Sequence, residues 1–320
     1  MTAMNSLSDV KTAADKLSAA LETVIIGKPD EIRLILAAML AGGHVLLNDV
    51  PGTGKTTLAK ALARCFDCGF GRVQFTPDLL PSELTGIYFY SPKTGEFSFR
   101  KGALFTNILL ADEINRATPR TQSGLLESME EAQITVDGSR FELPDPYFVI
   151  ATQNPVETQG TFPLPEAQLD RFLICVGLGY PSGVETSALI RGGGSPDALA
   201  ALSPVCTGSE LNAMKALTEK VFIHPLVADY IVRLAEHTRS NAEVALGIST
   251  RGCLALARMA RALAACGGRG FVTPDDVRLA VHPVFDHRII LRAGRRDARG
   301  AVGSAVAAAE VPVEDWKCPS

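Results

Sequence analysis

Several short stretches of this 320-residue chain carry polar residues of the right type and spacing to handle phosphate. In "NDVPGTGKTTLAK" (48–60), Gly52 and Gly54 let the backbone curl so that N–H groups face inward. Lys55 supplies a cation for terminal phosphates, and the Thr56 hydroxyl can ligate a hard metal ion. Pro51, Thr53 and Thr57 complete the candidate phosphate-contacting loop. The strict pattern G-x-x-x-x-G-K-[ST] asks for glycine where Asp49 stands. That position opens the loop, away from the phosphates, and Pro51 can shape the turn through its fixed φ. The Asp49 carboxylate is expected to point away from a polyphosphate. A chance G-K-T in an ordinary Gly/Pro loop would not explain a strand before it and a helix after it, in the order this chemistry needs.

"NILLADE" runs an apolar strand into two acids. At the C-terminal end of a strand, where open α/β sheets bind ligands, Asp112 could hold Mg²⁺ through its water shell and Glu113 could polarise an attacking water. Alone they would read as two solvated acids. "ATQNP" ends the next strand, and Asn154 could orient that water or touch a γ-phosphate; an Asn-Pro turn is the other reading. "LDRF" carries Arg171 and "STR" carries Arg251. Guanidinium suits bidentate phosphate contact, although spacing alone favours surface or ion-pair roles for both. Thr56 and Asp112 are the candidate metal ligands. Cys65 and Cys68 form one C-x-x-C with no second pair at zinc-ribbon spacing. They are read as small residues closing a helix, with a redox or metal role as the alternative.

The elements that must position these residues alternate. Residues 7–22 predict an amphipathic helix, and "VIIGKPDEIRLILAAMLAGG" a Gly-Lys-Pro turn and a helix stopped at Gly42-Gly43. "HVLLN", "GRVQFT", "ALFTNILLADE", "YFVIATQNP" and "FLICVGL" read as strands. "KTTLAKALARCF" and "TPRTQSGLLESMEEAQ" read as helices, the second with Thr118 as N-cap and Pro119 at its first position. "PDLLPSELTG" reads as a turn-rich connector and "LPEAQLDRF" as a short helix. "IYFYSPKTGEFSFRKG" and "ITVDGSRFELP" read as hairpins; in the first, Ile87, Phe89, Phe97 and Phe99 are expected to form one apolar face. Alternation from about 25 to 180 implies a parallel sheet covered on both faces. The expected division is an α/β domain over 1–182, a Gly/Ser/Pro-rich linker over 183–209, and an all-helical domain over 210–320 with a weakly patterned tail.

Composition bounds the rest. Hydrophobic residues are 47% and charged residues 21%, enough for a full core. With 31 basic and 35 acidic residues the net charge is −4, which argues against a dedicated nucleic-acid binder. No 18-residue apolar run suggests a membrane span. The N-terminus lacks the pattern of a secretory signal, and the seven scattered cysteines fit reduced thiols in the cytoplasm.

Taken together these residues resemble the AAA+ ATPases and, within them, the MoxR family. The resemblance covers roughly 20 to 295. It rests on "DVPGTGKTTLAKALA", "QFTPDLLPSELTG", "NILLADEINRATPRTQSGLLESMEE", "ATQNPVETQGTFPLPEAQLDRF" and "STRGCLALARMARALA" with "GFVTPDDVRLAV". Members often lack glycine at the Asp49 position. "STR" in place of Ser-Pro-Arg, and Thr118 in place of a frequent proline, are mild departures. The resemblance implies a P-loop core with a five-stranded parallel sheet flanked by helices, plus a C-terminal all-helical lid. It implies ATP or ADP with Mg²⁺, Lys55 and Thr56 as Walker A, Asp112 and Glu113 as Walker B, and Asn154 as sensor one. Arg251 looks like sensor two on the lid, and Arg171 like an arginine finger reaching a neighbouring subunit. Ile25, Ile26 and Gly27 would border the base. The two hairpins mark the clade that includes the magnesium chelatase ATPase subunit. Family members act as hexameric rings on client proteins, often with a von Willebrand factor A-domain partner and a metal-cofactor enzyme.

An ATP-driven remodelling chaperone is therefore the leading expectation. A nucleotide-gated adaptor with little turnover is an alternative, separable by phosphate release. A DNA-acting motor or a transcription activator is a third; the chain lacks the GAFTGA loop of sigma-54 activators, an assignable helix-turn-helix and a basic surplus, and salt-dependent DNA binding would revive it.

Overall fold

The computed structural model describes residues 4–93, 95–154, 160–191, 196–292 and 298–312. The chain opens with α1 (Leu7–Glu22) and α2 (Pro29–Leu40). Ser6 starts α1 with a capping box: its hydroxyl accepts from Asp9 N–H while the Asp9 carboxylate takes the Ser6 N–H. Pro29 stands at the first position of α2, where a missing N–H is harmless. Then come β1 (Val45–Asn48), α3 (Lys55–Cys65), β2 (Phe70–Gln74) and α4 (Pro81–Thr85). The first hairpin is β3 (Gly86–Ser91) with β4 (Glu96–Lys101). β5 (Ile108–Asp112) and α5 (Pro119–Glu131) follow, then a second hairpin of β6 (Gln133–Val136) and β7 (Ser139–Glu142). β8 (Phe148–Gln153), α6 (Glu166–Leu169) and β9 (Ile174–Val176) finish the α/β part.

Five strands form one parallel sheet in the order β2-β5-β8-β1-β9, as the alternating pattern requires. Successive residues point to opposite faces. Leu47, Ile108, Ile150 and Ile174 enter the core on one side, and Leu46, Leu109, Val149 and Ala151 the core on the other.

The remaining elements are α7 (Gly183–Ile190), α8 (Pro196–Ala201), α9 (Gly208–Glu219), α10 (Pro225–Ser240), β10 (Val244–Leu246), α11 (Thr250–Cys266), α12 (Pro274–Phe285), β11 (Ile290–Leu291) and α13 (Ala298–Ala308). Three sequence expectations change here. The segment read as a linker contains α7 and α8; Ser182 and Glu185 form a capping box that starts α7. The connector "PDLLPSELTG" contains α4. The helical part also holds the β10–β11 ribbon, and α13 lies in the tail, burying Ala301, Val302 and Ala305. Helices α9 to α12 share one hydrophobic core with α1, α2 and α3, through residues such as Leu17, Met214, Leu256 and Phe285.

The first hairpin corrects the fourth expectation. Its register pairs Tyr88 with Phe99 and Tyr90 with Phe97. Phe97 and Phe99 thus share a face with the two tyrosines, while Ile87 and Phe89 lie on the opposite face. Phe99 stacks on Phe141 of the second hairpin at 4.0 Å between ring centroids. Phe97, nearer the tip, is 71% exposed. The Asp-Gly turn of the second hairpin puts Asp137 and Gly138 at φ 48° and 80°, the left-handed pair that a two-residue turn matched to strand twist demands.

Candidate functional site

The loop between β1 and α3 lies at the C-terminal edge of the sheet. Gly54, at φ 89°, caps α3 in a left-handed conformation that favours glycine. A cleft of about 340 Å³ above this helix end is lined by Pro51 through Thr57, Asp112, Glu113, Thr152, Asn154 and Arg72. The loop, acid and Asn154 positions picked out in the sequence therefore converge. Lys55 curls back, its Nζ donating to the carbonyls of Asp49 at 3.0 Å and Val50 at 2.8 Å. The Asp49 carboxylate turns away from the cleft, as expected, and is buried. Its Oδ1 accepts from Val50 N–H at 2.9 Å, and Oδ2 from Leu178 and Gly179 N–H at 2.9 and 3.1 Å. In place of a flexible glycine, a carboxylate ties the start of the loop to the chain leaving β9.

The two acids sit in a polar web that motif reading missed. Thr152 is buried; its Oγ1 donates to Asp112 Oδ1 at 2.7 Å and accepts from Glu113 N–H at 2.8 Å. Glu113 has φ 56°, an uncommon backbone state for a non-glycine residue, held here by that bond. Gln74 Nε2 donates to Glu113 Oε2 at 2.6 Å, and Arg116 Nε lies 3.0 Å from the same oxygen. Arg72 Nη2 donates to Asp112 Oδ2 at 2.7 Å. The signal for Arg72 and Gln74 was present in "GRVQFT": two long polar residues at i and i+2 share one face of a predicted strand. Thr56 and Asp112 offer hard oxygen donors to one cleft, a set that suits Mg²⁺.

Arg171 and Arg251 do not line this cleft. They meet in a second one, of about 330 Å³, that shares none of the described residues with the first. There Arg171 Nη2 stands 3.5 Å from Glu130 Oε2, and Arg251 Nη2 donates to Glu130 Oε1. Ser249 caps α11 and so sets Arg251 in its first turn. The segment carrying Arg171 is gripped by buried Arg288, which bonds Asp170 Oδ1 at 2.6 Å and the carbonyls of Phe172 and Leu173 at 2.6 and 3.1 Å. His44 supports the other wall. Its Nε2 bonds the Met129 carbonyl at 2.8 Å, and its Nδ1 accepts from Val149 N–H at 3.0 Å. Burial pushes its pKa down to about 4. Ile25 is a core residue, Ile26 is half-buried and Gly27 is exposed beside Glu185 of α7; none lines the phosphate-loop cleft. Cys65 packs in the core, where burial raises its thiol to about 11.

A parallel sheet with this loop between β1 and α3, paired acids at the end of β5 and a helical lid define a P-loop ATPase of the AAA+ class. A family model for "ATPase family associated with various cellular activities (AAA)" matches residues 44–174, and one for "AAA lid domain" matches 236–308. The chain is 45% identical over 295 residues to the Bacillus subtilis protein YeaC, covering 91% of this chain and 92% of that one. It is 40% identical over 279 residues to Chaperone MoxR1 of Mycobacterium tuberculosis, covering 84% and 73%. It is 33% identical over 337 residues to Protein MoxR of Paracoccus denitrificans, covering 97% and 98%. A crystal structure of a candidate ATPase from Cytophaga hutchinsonii superposes with a TM-score of 0.88 at 32% identity, over 96% of this chain and 97% of that one. The chain belongs to the MoxR family of AAA+ ATPases. Among the described residues no helix is long and apolar enough to cross a membrane.

Proposed function

We propose that this ATPase binds ATP with Mg²⁺ in the phosphate-loop cleft, completes that site with arginines from a neighbouring copy in a hexameric ring, and uses turnover to remodel a client in the cytoplasm. The observation that carries this reading is the division of the site residues: Lys55, Thr56, Asp112, Glu113 and Asn154 share one cleft, whereas Arg171 and Arg251 share another around Glu130. Lys55 and the backbone N–H groups of Gly52 to Thr56 would hold the phosphates, aided by the N-terminal dipole of α3. Thr56 and Asp112 would hold Mg²⁺, which when bound neutralises phosphate charge. Glu113 would accept the proton of the attacking water and Asn154 would orient it. A guanidinium aimed at the developing charge contributes on the order of 10³-fold or more in rate; two of them, paired on a remote face, suit a site supplied by the adjacent subunit. The base would lie by Ile25, Ile26 and Gly27. The name of the mycobacterial relative supports a chaperone role; a von Willebrand factor A-domain partner and a metal-cofactor client are the partners this reading favours.

Glu113→Gln should bind ATP and fail to hydrolyse it, since the amide cannot take a proton; Lys55→Ala should lose binding. Mixing Arg171→Ala with Lys55→Ala subunits should restore part of the turnover, because some interfaces then pair a good cradle with a good arginine. A Glu113→Gln protein within about twofold of wild-type turnover, or no recovery in confirmed mixed rings, would contradict this reading.

A further inference from the structure

We propose that Arg72 is a built-in counter-cation for Asp112, holding the metal position when no Mg²⁺ is present and yielding it as the ion enters. This rests on the reading of the cleft as a nucleotide–metal site. β2 is the edge strand beside β5, and its parallel register sets Gln74 opposite Asp112, with Arg72 two residues earlier on the same face. From there the guanidinium reaches Asp112 Oδ2 at 2.7 Å and Gln74 Oε1 at 3.1 Å. Thr152 occupies the other carboxylate oxygen. Among the described residues each oxygen of Asp112 therefore has one donor, one neutral and fixed, one charged and movable.

The two donors differ in what holds them. Thr152 is 1% exposed and also takes the Glu113 N–H, so it cannot leave without breaking a second bond. Arg72 is 47% exposed, and among the described residues its hydrogen bonds go to two side chains alone. Asp112 is only 14% exposed. A carboxylate that far from water is costly without a compensating charge, and Arg72 supplies that charge. A divalent ion, or the water through which it binds, needs the lone pairs of Oδ2 that Arg72 now uses. Two cations crowded on one carboxylate repel, so the arriving ion displaces the guanidinium. Thr152 meanwhile keeps Asp112 in place, so the exchange moves one long side chain and no backbone. Metal loading then carries a built-in competitor, and the empty cleft does not present a bare acid.

The test uses Mn²⁺ as the metal and ADP as the nucleotide, with the whole 320-residue chain. Mn²⁺ affinity of the protein–ADP complex is read from the electron paramagnetic resonance signal of free Mn²⁺, which needs no turnover. Arg72→Met and Arg72→Gln should each tighten Mn²⁺ binding roughly two- to fivefold, the range an ion pair of this exposure commands. ADP affinity in EDTA should stay within about twofold of wild type by the same measure. Unchanged or weakened Mn²⁺ binding in both variants, with ADP still bound, would overturn the exchange alone. Loss of ADP affinity in EDTA by both variants would also overturn it, by making Arg72 a phosphate ligand. If the wild-type protein bound no ADP at all, both this inference and the nucleotide-site reading would fall.

Discussion

His44 should make the stability of this protein fall in mild acid. The ring is 7% exposed, donates from Nε2 to the Met129 carbonyl and accepts at Nδ1 from Val149 N–H. That pattern needs the neutral imidazole, because a protonated ring would have no acceptor to offer Val149. Burial holds its folded pKa at about 4, against 6.5 for an ordinary histidine. Above pH 6.5 neither state is protonated at this site and nothing changes. Between 6.5 and 4 the unfolded chain takes up a proton that the folded chain refuses, so stability falls as pH falls. Each pH unit is worth about 1.4 kcal/mol, giving about 2 kcal/mol lost by pH 5 and about 3 kcal/mol by pH 4. His287, half-buried and with its pKa depressed by desolvation and by the neighbouring Arg288 charge, adds a loss of the same sign. His44→Asn isolates the first contribution: its side-chain oxygen can still accept from Val149, while the stranded Met129 carbonyl costs about 1–3 kcal/mol at pH 7.5. Urea unfolding of wild type and variant at pH 7.5, 6, 5 and 4.5 should show the gap closing as pH falls. Parallel stability–pH curves would refute the argument. Met129 precedes Glu130, so acid should also loosen the carboxylate that gathers Arg171 and Arg251.

Two further outcomes follow from local geometry. Asp49→Gly restores the strict motif yet removes the acceptor for the N–H groups of Val50, Leu178 and Gly179; it should lower stability by about 1–3 kcal/mol and weaken nucleotide binding, and a variant with an unchanged melting temperature and affinity would show that the tie is idle. On the first hairpin, Phe99→Ala removes a ring stacked on Phe141 and should cost about 2–4 kcal/mol, whereas Phe97→Ala, on the same face but near the exposed tip, should change stability by less than about 0.5 kcal/mol; equal melting-temperature shifts would mean that the stack on Phe141 does not set the base of that face apart from its tip.

Local signals were sufficient for the phosphate loop, because a strand, glycines, Lys55, Thr56 and a helix follow one another within 15 or so residues and each acts on its neighbours. The same holds for Asp112 and Glu113 at the end of an apolar strand, for the Asp137-Gly138 turn, and for the α/β alternation that yields a parallel sheet. The capping box of Ser182 and Glu185 was equally local; Gly, Ser and Pro around it masked a helix that the residues themselves announce. What the linear order could not specify is which residues far apart in sequence become neighbours. Arg72 and Gln74 reach the acids only through the register of β2 against β5, some forty residues on. Arg171 and Arg251, for which spacing alone favoured surface or ion-pair roles and only the family resemblance implied phosphate contact, both pair with Glu130 because the fold brings the segment before β9 and the first turn of α11 to the end of α5. The hairpin faces depend on cross-strand pairing, where a shift of one residue inverts every side chain, and there the alternation of aromatics on each strand was compatible with both answers until Tyr88 was set opposite Phe99. Chemistry carried by consecutive residues is fixed by local backbone geometry; chemistry shared between elements waits on packing, which only the folded chain decides.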